Sequence, residues 1–221
     1  MLFNSSRNPI TTAASVVGIQ FKDGIVIAAD VLASYGSLAR FRACPRLMKI
    51  NDCTVLGAGG DYADFQYLKD IIDSKIIEEN NHADGFGLKP ESLHCWLTRI
   101  LYNRRSKFDP FWNILVVGGM QDGKPYLGYV DKLGTAFTAP QIASGFGTHL
   151  SLPILRDAAE KNPNMTAEEA QKVIKDCIRI LYYRDARAFP KFQIATVTSK
   201  GAEISEVMEI DSDWSVGHLV K

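Results

Sequence analysis

The sequence has 221 residues, enough for one or two domains with a sizeable buried core. Hydrophobic residues make up 46% of the chain and charged residues 23%, which is ordinary for a soluble globular protein. The 25 basic side chains equal the 25 acidic ones, and this balance argues against a nucleic acid or an anionic membrane surface as the main partner.

The first predicted elements are two strands between Ser15 and Asp30. Both runs are rich in Val and Ile, which suit a pleated sheet, and the Asp23-Gly24 pair between them favours a tight primed turn with positive φ. Residues 25–29 are apolar throughout, which predicts a strand that is buried on both faces. This strand ends on Asp30, and a buried carboxylate needs a cation or several donors beside it. On this pattern alone, a structural aspartate is the commoner interpretation.

Further strands and helices follow in separate runs. In chain order, we predict strands over 47–50 and 54–57, helices over 61–80 and 90–107, strands over 112–118, 126–130 and 136–138, helices over 150–161 and from Thr166 through Leu181, and strands over 193–198 and 202–207. The spacing Thr166-x-x-Glu169 is a capping box at the start of the last helix. Runs of each type favour an α+β fold, with helices packed outside antiparallel sheets.

Two loop predictions accompany these elements. We expect a turn at Asn51-Asp52 and a polar loop over residues 80–87. The glycine-rich residues 57–60 allow the backbone either to bend sharply or to approach another group closely. They lack the spacing and the lysine of a phosphate loop, so we predict no nucleotide site there.

The cysteines and histidines give no sign of a metal or redox site. The four cysteines include no Cys-x-x-Cys pair, and none of the four histidines is at metal-ligand spacing from Cys or Glu. We therefore expect reduced thiols, no metal and no cofactor. No apolar stretch is long enough for a signal peptide or a membrane span, which makes cytoplasm and nucleus the expected compartments.

Three motifs, in order and at matching separations, carry a resemblance to one family over essentially the whole chain. They are Gly18-x-x-x-x-x-Gly24-Ile25-Val26-Ile27-Ala28-Ala29-Asp30, Leu56-Gly57-Ala58-Gly59-Gly60-x-x-x-Asp64 and Tyr183-Arg184-Asp185-Ala186. Together they resemble a proteasome beta-type subunit. Residues 35–42, 60–68 and 181–187 resemble the seventh beta position of the eukaryotic 20S core particle in particular. The resemblance implies a four-layer αββα sandwich of the N-terminal-nucleophile hydrolase type, with two antiparallel sheets between helix pairs.

The resemblance also indicates which positions carry the family's chemistry, and most of them are replaced here. Active members use a processed N-terminal threonine assisted by its own α-amino group, and that position is Ala14. The family lysine corresponds to Arg46, which keeps the charge but cannot release a proton near neutral pH. Two supporting serines correspond to Phe146 and Ala188. The unchanged positions are Asp30, Gly60 and Asp185. We therefore predict no catalytic residue, with Asp30 and Arg46 retained as a structural ion pair.

Two threonines near Ala14 leave an alternative open. In an extended chain Thr12 points the same way as Ala14 but is displaced by roughly 7 Å, whereas a general-base contact needs about 3 Å. Thr11 points to the opposite face. An active threonine-type peptidase that uses Thr11 or Thr12 after self-cleavage is therefore less favoured than a non-catalytic structural subunit. A free-standing adaptor that has borrowed the fold is a third hypothesis, since fold alone does not fix function.

The resemblance further implies an organisation and a set of partners. Residues 1–14 would form an N-terminal arm similar to a propeptide remnant, and residues 15–221 a single beta-type domain. The partners would be beta-type subunits at the sixth and first positions of the same ring, alpha-type subunits, and beta subunits of the opposite ring. Residues 213–221 contain Trp214 and three aliphatic side chains. They are expected either to fold back on their own domain or to help join the rings.

Overall fold

Two antiparallel sheets lie at the centre of the computed structural model, which describes residues 8–82 and 87–215. The strands are β1 (Thr11–Ala13), β2 (Val16–Phe21), β3 (Gly24–Asp30), β4 (Ala33–Tyr35), β5 (Leu38–Phe41), β6 (Leu47–Asn51), β7 (Thr54–Asp61), β8 (Asn113–Gln121), β9 (Lys124–Val130), β10 (Ala136–Thr138), β11 (Gln141–Ala143), β12 (Lys191–Thr198), β13 (Gly201–Ile204) and β14 (Met208–Glu209). The helices are α1 (Tyr62–His82), α2 (Pro90–Ser106), α3 (Gly147–Leu150), α4 (Leu152–Lys161) and α5 (Ala167–Arg184).

Each sheet brings together strands that are far apart in the sequence. The first sheet has the order β10-β9-β8-β7-β1-β4-β5, with β6 also paired to β7. The second has the order β11-β2-β3-β12-β13, with β14 also paired to β12. Among the described residues, no helix has an apolar stretch of the length that a bilayer requires.

Three apolar clusters separate four layers. One cluster fills the space between the sheets, a second joins the first sheet to α1 and α2, and a third joins the second sheet to α4 and α5. Strand β3 contributes to two of them, because Ile25 and Ile27 face the other sheet while Val26 and Ala28 face the helices. The predicted four-layer α+β sandwich and the strand buried on both faces are both confirmed.

The turn between β2 and β3 differs from the prediction. Phe21 pairs with Gly24, so the two turn residues are Lys22 and Asp23, and neither has a positive φ. The predicted primed turn at Asp23-Gly24 is therefore wrong. Gly24 is instead the first residue of β3, where a Cβ atom would lie 2.0 Å from the carbonyl oxygen of Val197. The absence of a side chain at Gly24 lets β3 approach the backbone of β12 closely. Gly24 is therefore needed for strand contact and not for a turn.

Primed turn chemistry does occur in the first sheet. Asp122 and Gly123 join β8 to β9 with φ values of 52° and 77°. A type I′ turn requires positive φ at both central residues, and this Asp-Gly pair provides it.

The glycine-rich residues 57–60 lie within β7, so the chain does not bend away there. The close-approach alternative is the one observed, because a Cβ atom at Gly57 would lie 2.8 Å from Cγ1 of Val16 in the opposite sheet. Asn51 pairs with Thr54, which places the preceding turn at Asp52-Cys53, one residue later than predicted. The register between paired strands decides where the turn lies and what each glycine approaches, and it depends on the partner strand as well as on the local sequence.

The helices follow their predicted spacing with two differences. Helix α1 continues to His82, so the predicted loop over residues 80–87 begins too early, and residues 83–86 lie outside the described part of the chain. The helix predicted over 150–161 is divided at Ser151 into α3 and α4. The capping box of α5 is confirmed, since the Glu169 carboxylate accepts from the Thr166 amide at 2.8 Å and the Thr166 hydroxyl accepts from the Glu169 amide at 3.4 Å.

The described start of the C-terminal segment packs on its own domain. The Trp214 ring meets the Tyr183 and Tyr182 rings edge-on, with centroids 5.0 and 5.7 Å apart. The amide of Asp213 donates to the Tyr183 hydroxyl at 2.7 Å, and that hydroxyl lies 3.2 Å from the Asp213 carbonyl oxygen. The remaining residues of this predicted segment, 216–221, lie outside the described part of the chain, as do residues 1–7 at the start of the predicted arm.

Candidate functional site

The candidate site lies where β3 ends, around the buried pair Asp30 and Arg46. Asp30 is 5% exposed and Arg46 only 1%. The Arg46 Nη2 atom lies 2.6 Å from Oδ1 of Asp30, so the predicted structural ion pair is confirmed. Arg46 immediately precedes β6, and its carbonyl oxygen accepts from the Ala58 amide of β7 at 3.0 Å. This hydrogen bond to β7 fixes the backbone of Arg46 in a position from which its side chain reaches the Asp30 carboxylate.

All five N–H donors of the Arg46 guanidinium are used. The Nε–H donates to the carbonyl of Asp30 at 2.8 Å, and Nη1 donates to the carbonyls of Ala14 at 2.8 Å and Ala58 at 3.2 Å. Nη2 donates to the carbonyl of Ser15 at 3.1 Å as well as to the Asp30 carboxylate. A guanidinium offers five donors and a lysine ammonium three, so only arginine can serve all five acceptors.

The Asp30 carboxylate is satisfied by fixed donors. Besides Arg46, the amide of Leu32 donates to Oδ1 and the amide of Phe189 to Oδ2, each at 3.3 Å. Burial raises the pKa of the Asp30 carboxyl above its ordinary value, and the Arg46 guanidinium and the two amides offset part of that rise. Each partner is an N–H donor held in a fixed place, which suits a structural pair better than a proton relay.

The position assigned to the nucleophile is occupied by the methyl group of Ala14, whose carbonyl is one of the five acceptors of Arg46. The next hydroxyl along the chain, that of Ser15, accepts from the amide of Gly147 at 2.9 Å and is buried. A cavity of only about 10 Å³ adjoins Ala14, Asp30 and Ala188. This volume is near the lower limit for a single water molecule.

The other positions singled out from the sequence surround this point. The Asp185 carboxylate accepts from the amide of Arg187 at 2.9 Å, and its carbonyl accepts from the amide of Ala188 at 3.1 Å, so Asp185 shapes the turn after α5. Phe146, which stands between two glycines in the chain, is exposed and lines an adjoining cleft of about 400 Å³. Gly60 also lines that cleft, with a φ of 91° and the carbonyl oxygen of Trp112 2.0 Å from where a Cβ atom would be.

Strand β1 crosses this region as part of the first sheet. Thr12 pairs with Ser34 of β4 on one side and with Asp61 of β7 on the other. Ala13 likewise pairs with residues 33 and 60. Strand β1 therefore places the described end of the predicted N-terminal arm in the first sheet, directly before Ala14. The β-branched threonines favour a strand, but three residues are too few for a periodic signal, so the sequence did not predict β1.

The two candidate threonines line different cavities. The Thr12 hydroxyl lies 3.4 Å from an Nη1 donor of Arg187 beside the 400 Å³ cleft. Thr11 pairs with Tyr35 and lines a second cavity of about 380 Å³ together with Asp61 and Trp112. The donors of Arg46 are all directed to other acceptors, so the ion pair that marks the site is not directed at either hydroxyl.

Replacing Arg46 by methionine should lower the free energy of unfolding by roughly 3–5 kcal/mol, because the Asp30 carboxylate would stay buried without its cation. Arg46→Lys should destabilise the chain less, since the charge stays while two donors are lost. Denaturant unfolding of the purified chain, followed by circular dichroism, measures both. The exposed Arg156 provides a control, because Arg156→Met should change stability by only about 0.5 kcal/mol. Equal stability of Arg46→Met and the control would contradict a structural role for the pair.

Comparison with known proteins identifies the family of this chain. The family model described as "Proteasome subunit" matches residues 10–197, which is most of the chain. Proteasome subunit beta type-4 of Xenopus laevis is 50% identical over 213 residues, covering 96% of this chain and 88% of that protein.

More distant relatives match over the same extent. Probable proteasome subunit beta type-7 of Schizosaccharomyces pombe is 44% identical over 211 residues, covering 94% of this chain and 80% of the relative. Proteasome subunit beta type-7 of Saccharomyces cerevisiae is 37% identical over 227 residues, covering 98% and 85%. The resemblance inferred from the three motifs is thereby confirmed, and the chain belongs to the proteasome subunit family.

Proposed function

We propose that this chain is a non-catalytic structural subunit of the 20S proteasome core particle, at the seventh position of a beta ring. The names of its relatives, proteasome subunit beta type-4 and beta type-7, support the role of a core subunit. The observation that carries the non-catalytic part is an alanine at the position of the nucleophile, beside a buried arginine whose five donors are all used. The chain would contribute a wall of the chamber in which other subunits cleave proteins.

The chemistry of acyl transfer supports this proposal. The reaction needs an oxygen or sulfur nucleophile and a group that accepts its proton. The side chain of Ala14 is a methyl group, which has no lone pair and cannot attack a carbonyl. Arg46 stays protonated, and its donors all hold other acceptors. Neither the attack on a carbonyl nor the proton transfer has a group to perform it.

The pairing of β1 with the strands on both of its sides also disfavours peptide binding. An extended peptide binds a sheet by adding its backbone hydrogen bonds to a free strand edge. The facing edges of β4 and β7 are already paired with β1. A substrate would have to displace residues 11–13 before it could reach Ala14.

The alternative, a peptidase that uses Thr11 or Thr12 after self-cleavage, has no observation in its favour. The Thr12 hydroxyl lies 3.4 Å from the Arg187 guanidinium, which cannot accept a proton. Thr11 lines a separate cavity. Cleavage before either residue would also leave the new amine inside β1, between two paired strands. The adaptor hypothesis predicts a chain outside any large particle, which size-exclusion chromatography of the native complex tests.

The partners and the compartment belong to the same proposal. The chain assembles with other alpha-type and beta-type subunits, with the sixth and first beta positions as ring neighbours and the opposite beta ring as a further contact. Its location is the cytoplasm and the nucleus, and neither a nucleic acid nor a membrane is a partner. The balanced charge of the chain supports the last point.

A threonine-directed electrophile tests the absence of activity. Particles that contain this chain, treated with an epoxyketone or a boronate, should yield no covalent adduct on it, because no nucleophilic hydroxyl stands at the site. Peptide mass spectrometry locates the adducts. The catalytic subunits of the same particles are the positive control and must be labelled. An adduct on any residue from Thr11 to Ser15 would contradict the proposal.

Restoring the hydroxyl alone should not restore hydrolysis. Ala14→Thr should neither cause self-cleavage before residue 14 nor give an adduct with the same electrophile. The reason is that Arg46, Phe146 and Ala188 leave the proton path incomplete, and the members of a catalytic unit act non-additively. Intact mass and adduct mapping measure both outcomes, with the isosteric Ala14→Val as control. Loss of residues 1–13 with labelling of the introduced threonine would show that the supporting residues matter less than proposed.

The C-terminal segment should help to join the rings. The edge-on contacts of Trp214 and the bonds of the Tyr183 hydroxyl fix the base of this segment on α5, so the following residues start from a defined point. Deleting residues 214–221 should leave the chain folded but cause half-particles, one alpha and one beta ring, to accumulate. Native gels and sedimentation measure the particles, and circular dichroism is the folding control. A normal yield of full particles would refute the joining role, whereas an unfolded chain would mean that the segment serves only its own domain.

A further inference from the structure

The hairpin of β4 and β5 projects from one edge of the first sheet. Strand β5 is the last in the strand order, and among the described residues it pairs only with β4. Three large apolar side chains stand in solvent along it, since Tyr35 is 53%, Leu38 54% and Phe41 43% exposed. Residues 35–42, called the β5 edge below, belong to one of the segments that carried the family resemblance, and the proposed function gives them no role.

An exposed apolar edge strand is unfavourable in an isolated protein. Native proteins cover such an edge or protect it with charges and bulges. Here Arg40, Arg42 and a register shift beside Tyr35 protect the backbone of the edge, whereas its three large apolar side chains stay exposed. A two-stranded ribbon is also marginally stable by itself. The β5 edge is therefore best explained as a surface that another protein covers in the assembled state.

The charge of the β5 edge indicates what kind of surface covers it. The Arg40 guanidinium lies 5.4 Å from the centre of the Phe41 ring, and Nε of Arg42 donates to the Ala39 carbonyl at 3.1 Å. Among the described residues, neither arginine forms an ion pair with a carboxylate. Two unneutralised guanidinium groups beside three apolar side chains fit a partner surface that is apolar and carries carboxylates.

Two occupants from this chain itself fit poorly. Residues 1–7 and 216–221 contain no Asp or Glu, so neither terminal segment supplies side-chain carboxylates for the two arginines. A second copy would bring its own Arg40 and Arg42 against the same pair, and like charges across an interface are unfavourable. The occupant is therefore a different protein.

We propose that the β5 edge binds one neighbouring subunit of the proteasome particle through a carboxylate-bearing apolar surface of that subunit. The partner covers Tyr35, Leu38 and Phe41 and forms ion pairs with Arg40 and Arg42. This inference rests on the proposed function, because it takes the neighbour to be another subunit of the same particle. The two arginines select that neighbour from others that are equally apolar.

The test uses the full-length tagged chain, expressed in cells and purified as native particles. Arg40→Glu together with Arg42→Glu should lower the fraction of the chain found in particles about tenfold, because attraction to carboxylates becomes repulsion. Arg40→Lys with Arg42→Lys is the matched control and should incorporate to within about twofold of the wild type. Leu38→Asp and Leu38→Met form a second matched pair, with loss expected only for the aspartate.

A photo-crosslinking residue at Leu38 provides a measurement that does not depend on the folding of charge-reversed variants. After irradiation of the particles, crosslinks should lead to an acidic peptide of one other proteasome subunit. Crosslinks to a second copy of this chain, or no crosslink in particles that contain it, would overturn the proposal. Equal incorporation of the glutamate and lysine variants would also overturn it. If the wild-type chain itself did not co-purify with other proteasome subunits, the proposed function would fail instead.

Discussion

The buried guanidinium of Arg46 connects the segments on which the rest of the site depends. Its donors reach the carbonyls of residues 14 and 15 before β2, residue 30 at the end of β3, and residue 58 within β7. A buried ion pair is by itself weak evidence of stability, since desolvation offsets the attraction. Here most of the acceptors are backbone carbonyls, and each would lose the hydrogen bond from the arginine if that side chain were removed. The pair therefore holds both sheets together at the point where the chain enters β2.

The sequence predicted best what local periodicity controls. The long helices α1, α2 and α5 were found from their apolar spacing, and the capping box placed the start of α5 correctly. The turns before Gly24 and Thr54 were each displaced by one residue, because a dipeptide preference does not say which residues pair across the strands. The short strands β1, β4, β5, β11 and β14 were missed. Each has only two to four residues, and β1 pairs with β4 on one side and with β7 on the other.

The site shows the same division. The composition of the ion pair, Asp30 with Arg46, followed from the family resemblance, because the motif fixes both positions along the chain. The arrangement of the five Arg46 donors could not be predicted from the sequence, because it requires four carbonyl oxygens from three separate segments to converge on one side chain. The distance argument against Thr12 assumed an extended chain, and β1 is extended. What it could not predict is that Arg187, which follows α5 in the chain, approaches that threonine.

The position of β1 connects the proposed loss of catalysis with the proposed contact at β5. A sheet that binds peptides by strand addition must keep a free edge beside its reactive group. In this chain, β1 fills the gap between β7 and β4, so both facing edges are paired. On that side of the sheet the free edge is therefore displaced outward to β5, away from Ala14. The backbone groups there are still able to bind another chain, but the neighbouring side chains are Arg40, Phe41 and Leu38, which can hold a partner and offer no nucleophile. The proposed absence of catalysis and the proposed contact at β5 would then share one cause, which is the pairing of β1 between β4 and β7.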